Sequence, residues 1–183
     1  TRPDDFREAR RWSGELDPLH FPTASYQEWD VGEWVKGSVH SHLRISELDV
    51  RVPQVREAYR SYLYSGLVAS FGLTRLLDEY APEVLLLFNG MMSSTRVAFE
   101  LARRRGIRVV CHERGDLWES IKLLENAHFG ALHPLTRFWT DWGSIPLRRS
   151  ELETINGYLT DRQYGKNLGW PAFSPPPQDL DGL

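Results

Sequence analysis

The chain has 183 residues, 41% of them hydrophobic, and a formal net charge of −3. That size suits one soluble domain with a real core, and the charge gives no basic bias toward nucleic acid. The lone cysteine, Cys111, supports no disulfide framework and fits a reducing compartment, the cytoplasm; no apolar run approaches the roughly 20 residues of a membrane helix, and none reads as a signal peptide.

Residues 1–52 show weak periodicity and are rich in Trp, His, Pro and Asp, so loops, short helices or a strand are expected there. The first residue is Thr1, which reads as a processed start or a piece of a longer protein. From Pro53 to Tyr80 the apolar spacing turns helical through Tyr59, Tyr62, Leu63, Leu67, Leu73, Leu76, Leu77 and Tyr80. Gly66 and Gly72 weaken that run, so either two helices or one kinked helix fits.

The middle of the chain is the most regular. Val84 to Phe88 is a continuous apolar run of strand length, as expected for a strand buried on both faces of a parallel sheet. Leu86 is then core, and Leu86→Ala is expected to cost about 2–5 kcal/mol. Asn89-Gly90 turns the chain, and Ser93 or Ser94 can cap a helix reaching Arg105. Gly106 ends that helix, and Ile107 to Cys111 forms the next strand, parallel to the first. Arg103-Arg104-Arg105 sits at the helix end, where cations suit the helix dipole. A second helix is expected from Asp116 and Glu119 in capping positions, with Leu117, Ile121 and Leu124 on one face. Ser150 and Glu153 suggest a capping box for a third, with Leu152, Ile155 and Leu159 inward. The proline-rich segment from Pro171 onward reads as a stiff linker, residues 171–183, leading to a further domain.

Chemistry is expected beyond the carboxyl ends of the strands, where open parallel sheets bind ligands. The two readable strand ends give Asn89-Gly90 and His112-Glu113-Arg114-Gly115. They offer an amide, an imidazole, a carboxylate and a guanidinium, groups suited to holding and deprotonating a sugar hydroxyl. Each also has a plainer reading: Asn89-Gly90 as a turn, and Glu113 and Arg114 as paired surface charges. His40 with His42, and His128 with His133, lack the spacing of a zinc site. Asp179-Leu180-Asp181 has the form of a metal- and nucleotide-binding Asp-x-Asp, but its place after the prolines favours chance. The absence of GxGxxG, GxxxxGK and GxSxG argues against dinucleotide enzymes, common NTPases and ordinary α/β hydrolases.

Several segments in order are familiar together: Leu87-Phe88-Asn89-Gly90, Leu101-Ala102-Arg103 with Gly106-Ile107, and His112-Glu113-Arg114-Gly115. Glu125-Asn126-Ala127, Trp139-Thr140-Asp141-Trp142, Tyr158-Leu159 and Arg162-Gln163-Tyr164-Gly165-Lys166-Asn167 follow them. Over most of residues 30–173 the chain resembles bacterial capsule polysaccharide biosynthesis proteins with a GT-B-type sugar transferase fold. The resemblance implies an α/β, Rossmann-like parallel sheet with flanking helices over residues 1–170, the acceptor-side N-terminal half of a two-domain enzyme. It implies glycosyl transfer from a nucleotide sugar to a saccharide acceptor, without a cofactor or bound metal. Glu113 is the expected base, with His112 as its substitute; Asn89, Gly90, Arg114 and Gly115 would hold substrate. The implied partners are the two substrates, a C-terminal domain that holds most of the nucleotide-sugar contacts, and a peripheral-membrane or polysaccharide-assembly complex. Two rival readings remain: a non-catalytic ligand-binding or scaffolding domain of such a complex, and a sugar-epimerase-like domain. A second Rossmann-like domain encoded directly downstream would favour an enzyme over a binding module.

Overall fold

A computed structural model describes residues 1–115 and 120–164. They fall into two compact units. The first is Thr1–Glu113 with Leu123–Ala131; the second is Arg114–Lys122 with the chain from Leu132 on. The proline-rich tail, Asp179, Asp181 and the segment Gly165-Lys166-Asn167 lie outside the described residues.

Helices α1 (Pro3–Glu15), α2 (Val31–Leu43) and α3 (Pro53–Tyr80) build most of the first unit, with a short 3-10 segment at Pro18–Thr23. The amino-terminal region is thus more helical than its periodicity suggests. The reason is visible in α1, whose buried positions are Asp5, Ala9 and Ser13. These recur every four residues, as a helix face must, but two are polar and one is small. Asp5 is tolerated there because its carboxylate pairs with the Arg75 guanidinium of α3 and accepts the Arg2 N–H.

Helix α3 runs unbroken through both glycines. At Gly66 the helix meets α2, and a Cβ would sit 2.5 Å from Val35 Cγ1. The glycine therefore serves close helix packing, and burial outweighs its poor propensity. Tyr59, Leu63 and Leu67 continue the same buried face. The Tyr59 hydroxyl donates to the Gly32 carbonyl at 3.0 Å, which satisfies the phenol inside the core.

The expected strand-helix-strand unit is present. β1 (Val84–Phe88), α4 (Ser93–Arg104) and β2 (Arg108–Arg114) follow in order, and the two strands pair in parallel from Val84 with Arg108 to Phe88 with His112. Helix α4 ends at Gly106, whose φ is +70°. The Gly106 N–H donates to Arg103 O and the Ile107 N–H to Ala102 O, each at 3.0 Å, which is a Schellman stop. Its start differs from expectation: Met92 is the capping residue, and the Ser93 N–H donates to the Ser38 hydroxyl of α2 at 2.6 Å. The cap comes from a neighbouring helix, which local sequence cannot reveal. The arginine cluster in the last turn and cap of α4 is held by local partners: Arg104 bonds Asp30, Arg105 bonds Asp78 and Arg103 bonds the Asn126 carbonyl.

Two expectations are overturned in the sheet. Ile121 and Leu124 lie in a strand, β3 (Ile121–Glu125), and not on a helix face; the expected cap residues Asp116 and Glu119 and the neighbouring Leu117 lie outside the described residues. The sheet order is β1-β2-β3. Bonds from Gly115 N–H to Ser120 O and from Asn126 N–H to Val109 O show β3 returning antiparallel to β2. The fold is therefore mixed α/β with a small three-stranded sheet. Second, β1 is not buried on both faces: exposed and half-buried residues alternate along it, and Leu86 is 63% exposed. Only the face of Leu85 and Leu87 packs on the helical core.

The second unit contains α5 (His133–Trp142) and α6 (Arg149–Gln163). Helix α6 opens at Arg148, whose N–H donates to the Glu151 carboxylate at 2.7 Å, so the reaching-back carboxylate is Glu151 and not Glu153. Leu152, Ile155 and Leu159, expected inward, are exposed. Their side chains repeat on one helix face, but nothing described covers that face. Among the described residues, no helix is long and apolar enough to cross a membrane.

Candidate functional site

The carboxyl end of β1 is a tight turn built from two residues with positive φ, Asn89 at 38° and Gly90 at 68°. Asparagine tolerates this region better than most residues, and glycine adopts it freely. Gly90 is required for space as well: a Cβ would lie 2.9 Å from both Cys111 Sγ and His128 Cβ.

Asn89 is only 6% exposed and is bonded on several sides. Its backbone N–H donates to His112 O at 2.8 Å, and its backbone carbonyl accepts from the Phe129 N–H at 3.0 Å. The side-chain Oδ1 accepts the Met91 N–H at 2.9 Å, and Nδ2 donates to Glu113 Oε2 at 3.1 Å. Asn89 thus ties three chain segments together and presents its amide to a carboxylate. Its side chain is thereby held between the Met91 N–H and the Glu113 carboxylate.

The pleat decides which groups can act together. Val109 and Cys111 are fully buried, and Glu113 follows them on the same side of β2. His112 points to the opposite side, where its ring meets Phe88 edge-on at 5.6 Å. The structure therefore brings Asn89 and Glu113 together and sets His112 apart from them. Glu113 and His112, named together as base and substitute base, belong to different faces of the sheet. Arg114 ends β2 in the second unit. Gly115, also there, donates its N–H to Ser120 O at 2.8 Å, and a Cβ on it would collide with the Ser120 hydroxyl at 2.0 Å.

Glu113 is half-buried near the carboxyl end of β2, the central strand. A carboxylate in that position, oriented by a neutral amide donor, can accept a proton from a bound hydroxyl. Cys111, just before it, is fully buried, and burial pushes its thiol pKa up, which makes it a poor nucleophile. Among the described residues, no group of three or more His, Cys, Asp or Glu could hold a metal ion.

Sequence reasoning did not single out Arg96 or connect it with His128. Arg96 Nη1 lies 2.7 Å from His128 Nε2, and the pair lines a cavity of about 250 Å³ together with residues of α2. The only local sign was the Arg96–Glu100 spacing of four on one helix face. Compared with family models, with curated proteins and with solved structures, the chain gives no match.

Proposed function

We propose that the chain is the acceptor-side half of a GT-B-type sugar transferase of capsular or surface polysaccharide synthesis, with a Rossmann-like sheet as its frame. The observation that carries this reading is the Asn89–Glu113 hydrogen bond at the carboxyl ends of two adjacent parallel strands. Loops at that edge are where such sheets take ligands. The motif resemblance over residues 30–173 supplies the reaction class.

In this reading the acceptor hydroxyl lies against Glu113. Its oxygen attacks the anomeric carbon of the donor sugar and the bond to the nucleoside diphosphate breaks. The hydroxyl proton passes to the Glu113 carboxylate as the new glycosidic bond forms. Asn89 holds that carboxylate in one orientation, and a base so placed contributes about 10²–10⁴-fold. A companion domain supplies the nucleotide-sugar contacts.

One observation favours a second reading, a non-catalytic binding or scaffolding domain. Val84, Leu86 and Phe88 leave one face of β1 exposed, as an assembly partner would require. The test is release of nucleoside diphosphate from a panel of nucleotide sugars by the full-length protein, with and without saccharide acceptors. Acceptor-dependent release supports the transferase. Saccharide binding without release from any donor supports the binding module.

A further inference from the structure

We infer that the cleft between the second half of α1 and the first half of α3 is a binding site for a small polyanion, a ligand with two or more phosphoryl or carboxylate groups. This does not rest on the transferase reading, since neither Asn89 nor Glu113 takes part in it; it stands on three arginines that the fold leaves without acceptors.

The cleft lies within the first unit. Helix α1 contributes Arg10 and Gly14 to its wall, and α3 contributes Arg56, Glu57, Arg60 and Tyr64. On α3 these positions follow the three- and four-residue spacing of one stripe, beside the buried stripe of Tyr59 and Leu63. The volume of about 550 Å³ falls in the range of roughly 300–1,000 Å³ that small-molecule sites occupy. Gly14 keeps the α1 side open: no atom stands within 4 Å of where its Cβ would be.

The charges on the wall point to what enters. Three guanidinium groups and one carboxylate line the cleft, so positive charge prevails. Arginines elsewhere in this unit, such as Arg75, Arg104 and Arg105, each meet a carboxylate. Arg10, Arg56 and Arg60 meet none among the described residues, and their side chains donate to no acceptor there. Glu57 has the spacing to pair with Arg60 one turn on, yet no such pair forms. A guanidinium has donors only, in a fixed fork that matches phosphate and carboxylate oxygens, so no choice of protonation state supplies the missing acceptors.

Arg60 is the anchor. Its guanidinium lies over the Phe21 ring, 5.4 Å from the centroid, and Phe21 is fully buried. The cation is thus positioned by an aromatic face at the edge of the core, which leaves its N–H groups uncommitted. Its Nε is shut off from solvent and has no acceptor, an arrangement that costs stability and that a bound anionic oxygen relieves. Arg56 follows the same stripe one turn earlier, about 6 Å along the helix axis, where two like charges repel. A ligand with two anionic groups neutralises both at once, and Arg10 approaches it from α1. The start of α3 adds to this charge: Val52 caps it with no side-chain acceptor, and Pro53 of its first turn lines the cleft.

The test is a calorimetric titration of the whole chain at constant ionic strength with inorganic pyrophosphate, with trigalacturonate as the acidic-saccharide probe and maltotriose as the neutral control. Pyrophosphate, trigalacturonate or both should bind in a saturable way, and maltotriose should not. Pyrophosphate alone assigns a phosphoryl ligand, and trigalacturonate alone an acidic saccharide. Arg60→Gln should weaken binding ~10-fold or more, since it removes a charge-assisted bond. Should that variant unfold, Arg10→Gln, on an exposed side chain, should weaken binding several-fold. Glu57→Gln should tighten it, because the one opposing charge is gone. Arg7→Gln removes the same charge from α1 outside the cleft, where Arg7 pairs with Asp4, and should leave binding unchanged. The inference is overturned by binding of neither anion, by equal binding of maltotriose, by unchanged affinity in the Arg10→Gln or Glu57→Gln chain, or by an equal loss in the Arg7→Gln chain.

Discussion

Alternate residues of one short strand live in different surroundings. Leu85 and Leu87 of β1 pack on the helical core, whereas Val84, Leu86 and Phe88, on the other side, are open. The five residues are all apolar, so composition alone suggests burial on both faces. The difference teaches that an apolar run reports what a strand tolerates, not what covers it. The helical layer is the opposite case: Asp5, Ala9 and Ser13 are buried without looking like core.

The comparison can be broken by mutation. Leu63 is fully buried between helices, and Leu63→Ala should cost about 2–5 kcal/mol in urea unfolding, through lost contacts and a cavity that cannot collapse. Gly90→Ala should cost about 1–3 kcal/mol, because the methyl group meets Cys111 and His128 and the backbone stays at positive φ. Leu86→Ala should cost less than about 1 kcal/mol despite its strand position. A loss at Leu86 equal to that at Leu63 would mean that the outer face is covered in solution.

The smallest effect concerns acid. Burial pushes the Asp5 carboxyl pKa up, but the Arg75 hydrogen bond, the Arg2 N–H and the nearby positive charge outweigh it and hold it below the usual carboxylate value. Its stabilising contribution is therefore complete above the unfolded value of about 3.9 and fades as pH falls through the lower folded value. Asp5→Asn should lower the melting temperature at neutral pH and narrow its gap to wild type below about pH 4. A gap that does not change with pH would show that the carboxylate charge contributes nothing.

Local signals made the strand-helix-strand unit legible. Its apolar runs, its Asn-Gly turn and its Gly106 stop all act within a few residues. What stayed hidden depends on distant partners. The cap of α4 is Ser38, more than fifty positions upstream. Ile121 to Glu125 has helical spacing but pairs with β2 as a strand, because sheet hydrogen bonds outweigh weak propensity. Of the site residues, Asn89 and Glu113 could be placed side by side from strand order alone. The opposed directions of His112 and Glu113 follow from the pleat. The Arg96–His128 cavity needed α2 and the 126–131 segment, which no local pattern joins.

The central claim is that Glu113, fixed by Asn89 at the sheet end, is the reactive carboxylate. The most direct measurement is acceptor-dependent nucleoside diphosphate release by the full-length protein carrying Glu113→Gln, alongside thermal melts. The glutamine still accepts the Asn89 bond through its carbonyl, so melting should be nearly unchanged while turnover falls by at least ~10²-fold. Turnover within a few-fold of wild type would contradict the claim and remove Glu113 from catalysis.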